Sequence, residues 1–277
     1  MIRFCLYFII PVLCFSCNEN SNKHDFQERS ILVNEKQVEP AKMNNLLVQK
    51  YAEAGLVEVT DQRIIQDLRY TTANNFMRHI LYDTLDRLFL QQAVSERLSR
   101  CQDFLDSLHP GFRLKVFDGV RPWQVQKEMW EALDSIPVGR RGKFVSNPLY
   151  GSVHNFGTAI DLTICELSGN ELDMGAGYDD FREIAFPSLE ARFLKSGELT
   201  KAQWENRKLL RKVMKSQSFY NIPSEWWHFN AFVRITCEKN FDILLNESGA
   251  HRKWVSPPLP SKKISDSLGA IDTTKIN

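Results

Sequence analysis

Between Phe89 and Phe117 the hydrophobic period changes from three-or-four to two across a single His109-Pro110-Gly111 break. Leu90, Ala93, Val94, Leu98, Cys101, Phe104, Leu105 and Leu108 form the stripe of an amphipathic helix over 89–108. Beyond the break, Phe112, Leu114 and Val116 alternate with Arg113 and Lys115, which predicts a strand over 112–117. The same reasoning predicts helices over 123–133 and 204–214 and strands over 159–164 and 226–235. These elements do not alternate regularly, and no glycine-rich phosphate loop opens a helix. The expected fold class is therefore α+β, a single domain with a mixed or antiparallel sheet and flanking helices, rather than a doubly wound nucleotide fold.

The two ends of the 277-residue chain read differently from its body. Arg3 precedes an apolar run from Phe4 to Ser16, shorter than the roughly 20 residues that span a bilayer and suited to a signal-peptide core. Leu13-Cys14-Phe15-Ser16-Cys17, followed by polar residues, resembles a bacterial lipoprotein signal, which implies removal of residues 1–16 and lipidation of Cys17. An ordinary secretory signal is the alternative. The expectation is an exported protein, lipid-anchored to a membrane and facing the periplasm, or else soluble in the periplasm or secreted. Residues 17–45 read as a flexible tether and 255–277, with Pro257, Pro258 and Pro260, as a flexible tail. That leaves 46–254, enough for one core. Thirty-five basic residues against 34 acidic ones provide no bulk charge for phosphates, so a nucleic-acid partner is not expected and a small substrate is. Outside the leader only Cys101, Cys165 and Cys237 remain, too few and too widely spaced for a disulfide framework or a Cys-rich metal site; buried thiols are expected.

Chemistry-bearing residues concentrate in Ser152-Val153-His154-Asn155-Phe156-Gly157-Thr158-Ala159-Ile160-Asp161 and in Glu225-Trp226-Trp227-His228. Two imidazoles and a carboxylate, His154, Asp161 and His228, are the ligand number and type of a catalytic zinc that keeps one position open. The gap of seven from His154 to Asp161 is not the i, i+4 spacing of a helical zinc motif, so a loop or turn containing Gly157 must bring them together. Glu225, beside two tryptophans, is placed to keep its proton more tightly than a surface carboxylate and to serve as general base. Arg121, at the end of the 112–117 strand, could face a developing oxyanion. Taken singly, Glu225 and Arg121 read more often as a structural ion pair or solvated charges, and the tryptophans more often as core than site; His24, His79, His109 and His251 read as packed or hydrogen-bonded histidines.

Taken together, Ser-x-His-x-x-Gly-x-Ala-x-Asp at 152–161 followed by Glu-x-x-His at 225–228 resembles the D-alanyl-D-alanine dipeptidases of the VanX type, zinc peptidases related to the zinc D,D-carboxypeptidases. Asp67-Leu68-Arg69-Tyr70 with Asn75-Phe76, Phe117 to Pro122, Asp173-Met174-Gly175 with Tyr178-Asp179, and Asn206-Arg207 follow the family's order, so that roughly 59–229 is covered. The resemblance implies a small α+β domain with a central antiparallel sheet. It implies one zinc ion held by His154, Asp161 and His228, Glu225 as catalytic acid/base and Arg121 as stabiliser of the tetrahedral intermediate. Asp179 would take the substrate's ammonium group, with Ser152 and Tyr70 lining the dipeptide pocket.

The implied activity is hydrolysis of D-Ala-D-Ala or a close D,D- or L,D-dipeptide, with murein fragments as further partners. The alternatives are a D,D-carboxypeptidase acting on murein stem peptides and a non-catalytic, lipid-anchored murein-binding protein. Three positions depart from the family pattern: Val120 beside the arginine, Asn155-Phe156 after the first histidine, and Ser218 where glycine usually precedes Phe219. Val120 and Phe156 are the first places to expect an altered pocket.

Overall fold

The computed structural model describes residues 40–257, with side chains from Asn45. The predicted leader, Cys17, the tether up to residue 39 and the tail from 258 lie outside the described residues. Helix α1 (Pro40–Glu53) begins within the stretch read as tether and crosses Asn45/Leu46, where the chain divides into two units; the architecture below is that of the unit from Leu46 onward. Among the described residues no helix is long and apolar enough to cross a membrane.

The central sheet has five strands in the order β2 (Ile65–Gln66), β4 (Phe112–Asp118), β5 (Ala159–Glu166), β7 (His228–Asn230), β6 (Tyr220–Asn221). Only β2 runs parallel to its neighbour; every other pairing is antiparallel. Two small antiparallel pairs stand beside it, β1 (Leu56–Glu58) with β3 (Phe89–Gln91) and β8 (Asp242–Leu244) with β9 (His251–Lys253). The helices are α2 (Gln92–Leu108), α3 (Trp123–Ala132), α4 (Val138–Arg141), α5 (Glu190–Ser196), α6 (Lys201–Lys215) and α7 (Arg234–Asn240). The α+β expectation therefore holds.

Side-chain alternation along β5 divides the molecule. Ile160, Leu162 and Ile164 point to one face and join Leu98, Leu105, Leu210, Val213 and Met214 of α2 and α6 in the main core. Asp161 points to the other face, and the site is built there. Capping explains the clean start of α6: Thr200 accepts from the Gln203 N–H while the Gln203 side chain accepts from the Thr200 N–H.

Two predicted elements differ. The 89–108 stripe divides, because Phe89–Gln91 pairs with β1 and the helix starts only at Gln92. The predicted 226–235 strand is extended only over His228–Asn230, where β5 supplies partners; Trp226 and Trp227 lie in the turn before it, and α7 starts at Arg234. All three described cysteines are buried and free.

Candidate active site

Strand register places the first acidic and basic groups. A bulge between Val116 and Asp118 brings Asp118 opposite Asp161, and Asp161 is also opposite His228, so the three form a row across β4, β5 and β7. His154 arrives from a short 3-10 turn (Val153–Phe156) held by a reciprocal cap: Ser152 Oγ accepts from the His154 N–H, and Asn155 Oδ1 accepts from the Ser152 N–H at 2.7 Å. Gly157 ends the turn at φ 66°, the left-handed region, where an added Cβ would lie 2.4 Å from Leu56 Cδ2. The seven-residue gap is closed by this turn.

His154 Nε2, His228 Nδ1 and Asp161 Oδ1 form a triangle with sides of 3.0, 3.0 and 3.3 Å, all three residues buried. The outer nitrogens fix the tautomers. His154 Nδ1 donates to the Gly119 carbonyl at 2.8 Å, since a carbonyl can only accept, and His228 Nε2 donates to Asn230 Oδ1 at 3.0 Å. Both inward nitrogens therefore present lone pairs, facing each other and a carboxylate oxygen. Three such groups at this distance repel one another unless a cation lies among them, and histidines oriented through their second nitrogen are the usual arrangement at metal centres. The residues present fit a divalent metal, and N,N,O donation suits zinc. Burial alone would raise the Asp161 carboxyl; with protons on the inward imidazole nitrogens, the positions a metal would take, their positive charge and N–H donation hold it well below the ordinary carboxylate range.

Around this triangle the other predicted residues take distinct places. Glu225 Oε2 lies 3.8 Å from His228 Nδ1, and burial raises its pKa. Arg121, at the end of β4, is a clamped cation: its guanidinium donates to Asp118 Oδ2 at 2.9 Å and Gln126 Oε1 at 3.1 Å and reaches Asp161 Oδ2 at 3.4 Å. Asp118, fully buried, accepts a 2.6 Å bond from the Tyr82 hydroxyl. Asp179 sits at φ 58° with both oxygens 3.4 Å from the Tyr70 hydroxyl, and burial pushes its carboxyl well above the usual range, with the Asp161 charge adding to the shift.

One cleft of about 220 Å³ gathers His154, Asp161, His228, Glu225, Arg121, Asp179, Ser152 and Tyr70 along its wall. Every predicted site residue in the described region is in it. The volume lies below the ~300–1,000 Å³ of drug-sized ligand sites, which suits a very small substrate. Val120 and Phe156 do not line it: Val120 packs with Tyr51 and Met129, Phe156 with Cys237 and Ile243, so neither departure from the family pattern touches the pocket wall.

Sequence reasoning missed several participants. Tyr178 donates to Asp161 Oδ2 at 3.1 Å and stands 3.1 Å from the Tyr70 hydroxyl, linking the metal-ligand carboxylate to the Asp179 end. The Gly119 carbonyl, Asn230 and Gln126 orient ligands or the arginine. Phe76, Phe144 and Phe181 wall the far side, Phe181 lying 5.1 and 4.9 Å from the other two rings. Adjacency to Asp179 was the available signal for Tyr178; a backbone carbonyl offers none.

Residues 52–241 match the peptidase family M15, described as D-ala-D-ala dipeptidase. The chain belongs to this family. It is a metallopeptidase. Among curated proteins, the D-alanyl-D-alanine dipeptidase of Escherichia coli is 32% identical over 166 residues, covering 59% of this chain and 76% of that protein. The protein of the same name from Streptomyces coelicolor is 30% identical over 177 residues, covering 59% of this chain and 83% of the relative. That from Synechocystis is 26% identical over 168 residues, with 51% and 68% covered.

Proposed function

We propose that this metallopeptidase is a zinc-dependent dipeptidase that hydrolyses D-Ala-D-Ala or a closely related D,D- or L,D-dipeptide. The observation that carries the reading is the convergence of two imidazole nitrogens and a carboxylate oxygen beside a half-buried glutamate, in a cleft whose other end holds a second, half-buried carboxylate. The names of the relatives support the substrate class.

His154, Asp161 and His228 would hold the zinc ion, which when bound supplies a Lewis acid and a water of lowered pKa. Glu225 takes the proton from the attacking water at a carboxylate oxygen and returns it to the leaving amine; burial, by raising its proton affinity, suits it to both steps. Arg121, held by Asp118 and Gln126, presents fixed positive charge where the tetrahedral intermediate gains negative charge, and pays no reorganisation because its position is already set. Asp179 receives the free ammonium of the dipeptide, whose positive charge compensates a carboxylate that burial disfavours. Ser152 and Tyr70 line the space between. The predicted leader and Cys17 support an exported, lipid-anchored enzyme that meets murein-derived dipeptide outside the cytoplasm.

The test is metal content together with D-Ala release. The wild-type protein is expected to carry about one zinc per chain and to turn over D-Ala-D-Ala; Glu225→Gln keeps the metal and loses about 10²-fold or more in kcat. A metal-loaded Glu225→Gln protein with near-normal kcat removes the proposed base.

A further inference from the structure

Glu225 is carried by a turn, not by the sheet. The last pair of the β6–β7 ladder is Asn221 with Phe229, so the segment 222–228 reverses direction between them with Glu225 at its middle. Asn221 stands at the neck and turns its side chain into the loop. Its amide donates to the Glu225 carbonyl at 2.8 Å and the His228 carbonyl at 2.8 Å, and approaches the Trp226 carbonyl at 3.4 Å. Only the NH2 end can face three carbonyl oxygens, so the surroundings fix which way the amide points. Its own Oδ1 is buried without a partner among the described residues. A buried acceptor left unpaired opposes folding, so the donor end must compensate for it.

The rest of the turn is fastened as well. The Leu162 N–H donates to the Trp227 carbonyl at 3.1 Å, and Ser188 donates to the Pro223 carbonyl through its N–H and Oγ at 3.2 and 2.8 Å. His228 does not depend on Asn221 alone: it lies in β7 opposite Asp161, and its ring is held by Asn230. Backbone on the Glu225 side has no such ladder. From this we infer that Asn221 is a positioning residue for Glu225, pinning the turn so that the carboxylate stays beside the metal ligands in the geometry proton transfer needs. The inference rests on the reading of Glu225 as acid/base given above.

Asn221→Asp is isosteric but replaces the donor by a carboxylate oxygen aimed at three carbonyls. The zinc-loaded full chain is compared with wild type for zinc content, kcat and KM on D-Ala-D-Ala, with Asn221→Ser as a second variant that keeps one donor. Asn221→Asp is expected to keep its zinc, to lose about 10- to 100-fold in kcat, the scale of a displacement of about 1 Å at a catalytic group, and to hold KM within about threefold; Asn221→Ser falls between. Since Asn221 acts through Glu225, adding Asn221→Asp to Glu225→Gln should cost less than about twofold more. Wild-type kcat in Asn221→Asp overturns the inference, as does a kcat loss matched by zinc loss, or a double variant in which the two losses multiply. Should Asn221→Asp fail to fold, the same criteria apply to Asn221→Ser. Near-normal kcat in Glu225→Gln would instead overturn the base itself, a separate result.

Discussion

The two ends of the cleft are built differently. At the metal-ligand end, Asp161 and His228 are partners across a β ladder and His154 sits in a reciprocally capped turn, with contacts of 2.7 to 3.3 Å that fix both ring tautomers. At the Asp179 end, the carboxylate stands on a left-handed turn residue, its contacts with Tyr70 are 3.4 Å long, and the wall is three phenylalanines from separate loops. Two of the three groups suited to hold a metal, Asp161 and His228, are placed by the sheet and the third by a capped turn, while the groups at the other end sit on connections that can vary without disturbing the sheet. Changes at the first end should therefore abolish chemistry, and changes at the second should redirect it.

The largest effects are expected from the triangle. His154→Ala, Asp161→Ala and His228→Ala should each release the metal and cost at least about 10³-fold in turnover, since water activation and carbonyl polarisation are lost together. Metal analysis of the three purified variants checks this, and full occupancy in all three would break the comparison at its rigid end. Next comes Arg121→Ala, expected to keep its metal and to lose about 10²-fold in kcat, the scale of one lost oxyanion donor. An effect confined to KM would place Arg121 in ground-state binding instead. Removing the guanidinium also leaves Asp118 buried without its cation, so thermal melting should drop as well.

Asp179→Asn sharpens the contrast by separating activity from stability. Without the carboxylate the bound ammonium loses its counter-charge, at roughly 1–3 kcal/mol or about 5- to 150-fold in kcat/KM for the free dipeptide, while N-acetyl-D-Ala-D-Ala should hardly change. The same substitution should raise the melting temperature at neutral pH. The Asp179 carboxyl has a folded pKa well above its unfolded value, so the wild-type protein loses stability as pH rises through the folded pKa and has it in full only below the unfolded one, near 4. The stabilising effect of Asn should fade towards that lower limit. A melting difference that grows on acidification would contradict the burial of this group.

How much of this could be read from the chain follows the same division. Spacing alone left the ligand triangle open; it was legible because 152–161 and 225–228 together follow the family motif, and the structure places Gly157 at positive φ as the turn requires. The alternation at 112–117 foretold β4 because every second residue is buried against the same core. Less visible were the groups that work through the backbone or through a neighbour. The Gly119 carbonyl has no side-chain signature; Asn221 and Asn230 look like ordinary polar residues until the 222–228 turn and the strand set their partners in place. The 226–235 strand was over-extended because aromatic residues raise β propensity wherever they fall, while ladder pairing with β5 exists only for His228, Phe229 and Asn230. Phe89 and Leu90 matched the helical stripe of α2 yet pair with β1, since their periodicity continues across an element boundary.

The smallest effect concerns a departure from the family pattern that does not line the cleft. Ser218 stands where glycine is usual and adopts φ 63°, a conformation that costs a non-glycine residue on the order of 1 kcal/mol. Ser218→Gly should raise the melting temperature by about 2–4 °C and leave kcat and KM unchanged, which a melting curve and one kinetic series will establish.

The central claim is that chemistry at the metal-ligand end acts on a substrate whose free ammonium is read at the Asp179 end. Incubation of the zinc-loaded protein with D-Ala-D-Ala, with N-acetyl-D-Ala-D-Ala and with a murein pentapeptide, reading free D-Ala, tests both halves together. The account predicts rapid release from the free dipeptide and release slower by at least about fivefold, the consequence of roughly 1 kcal/mol or more, from the two blocked substrates. Equal or faster release from the pentapeptide would contradict it and make the enzyme a carboxypeptidase whose cleft opens at the Asp179 end.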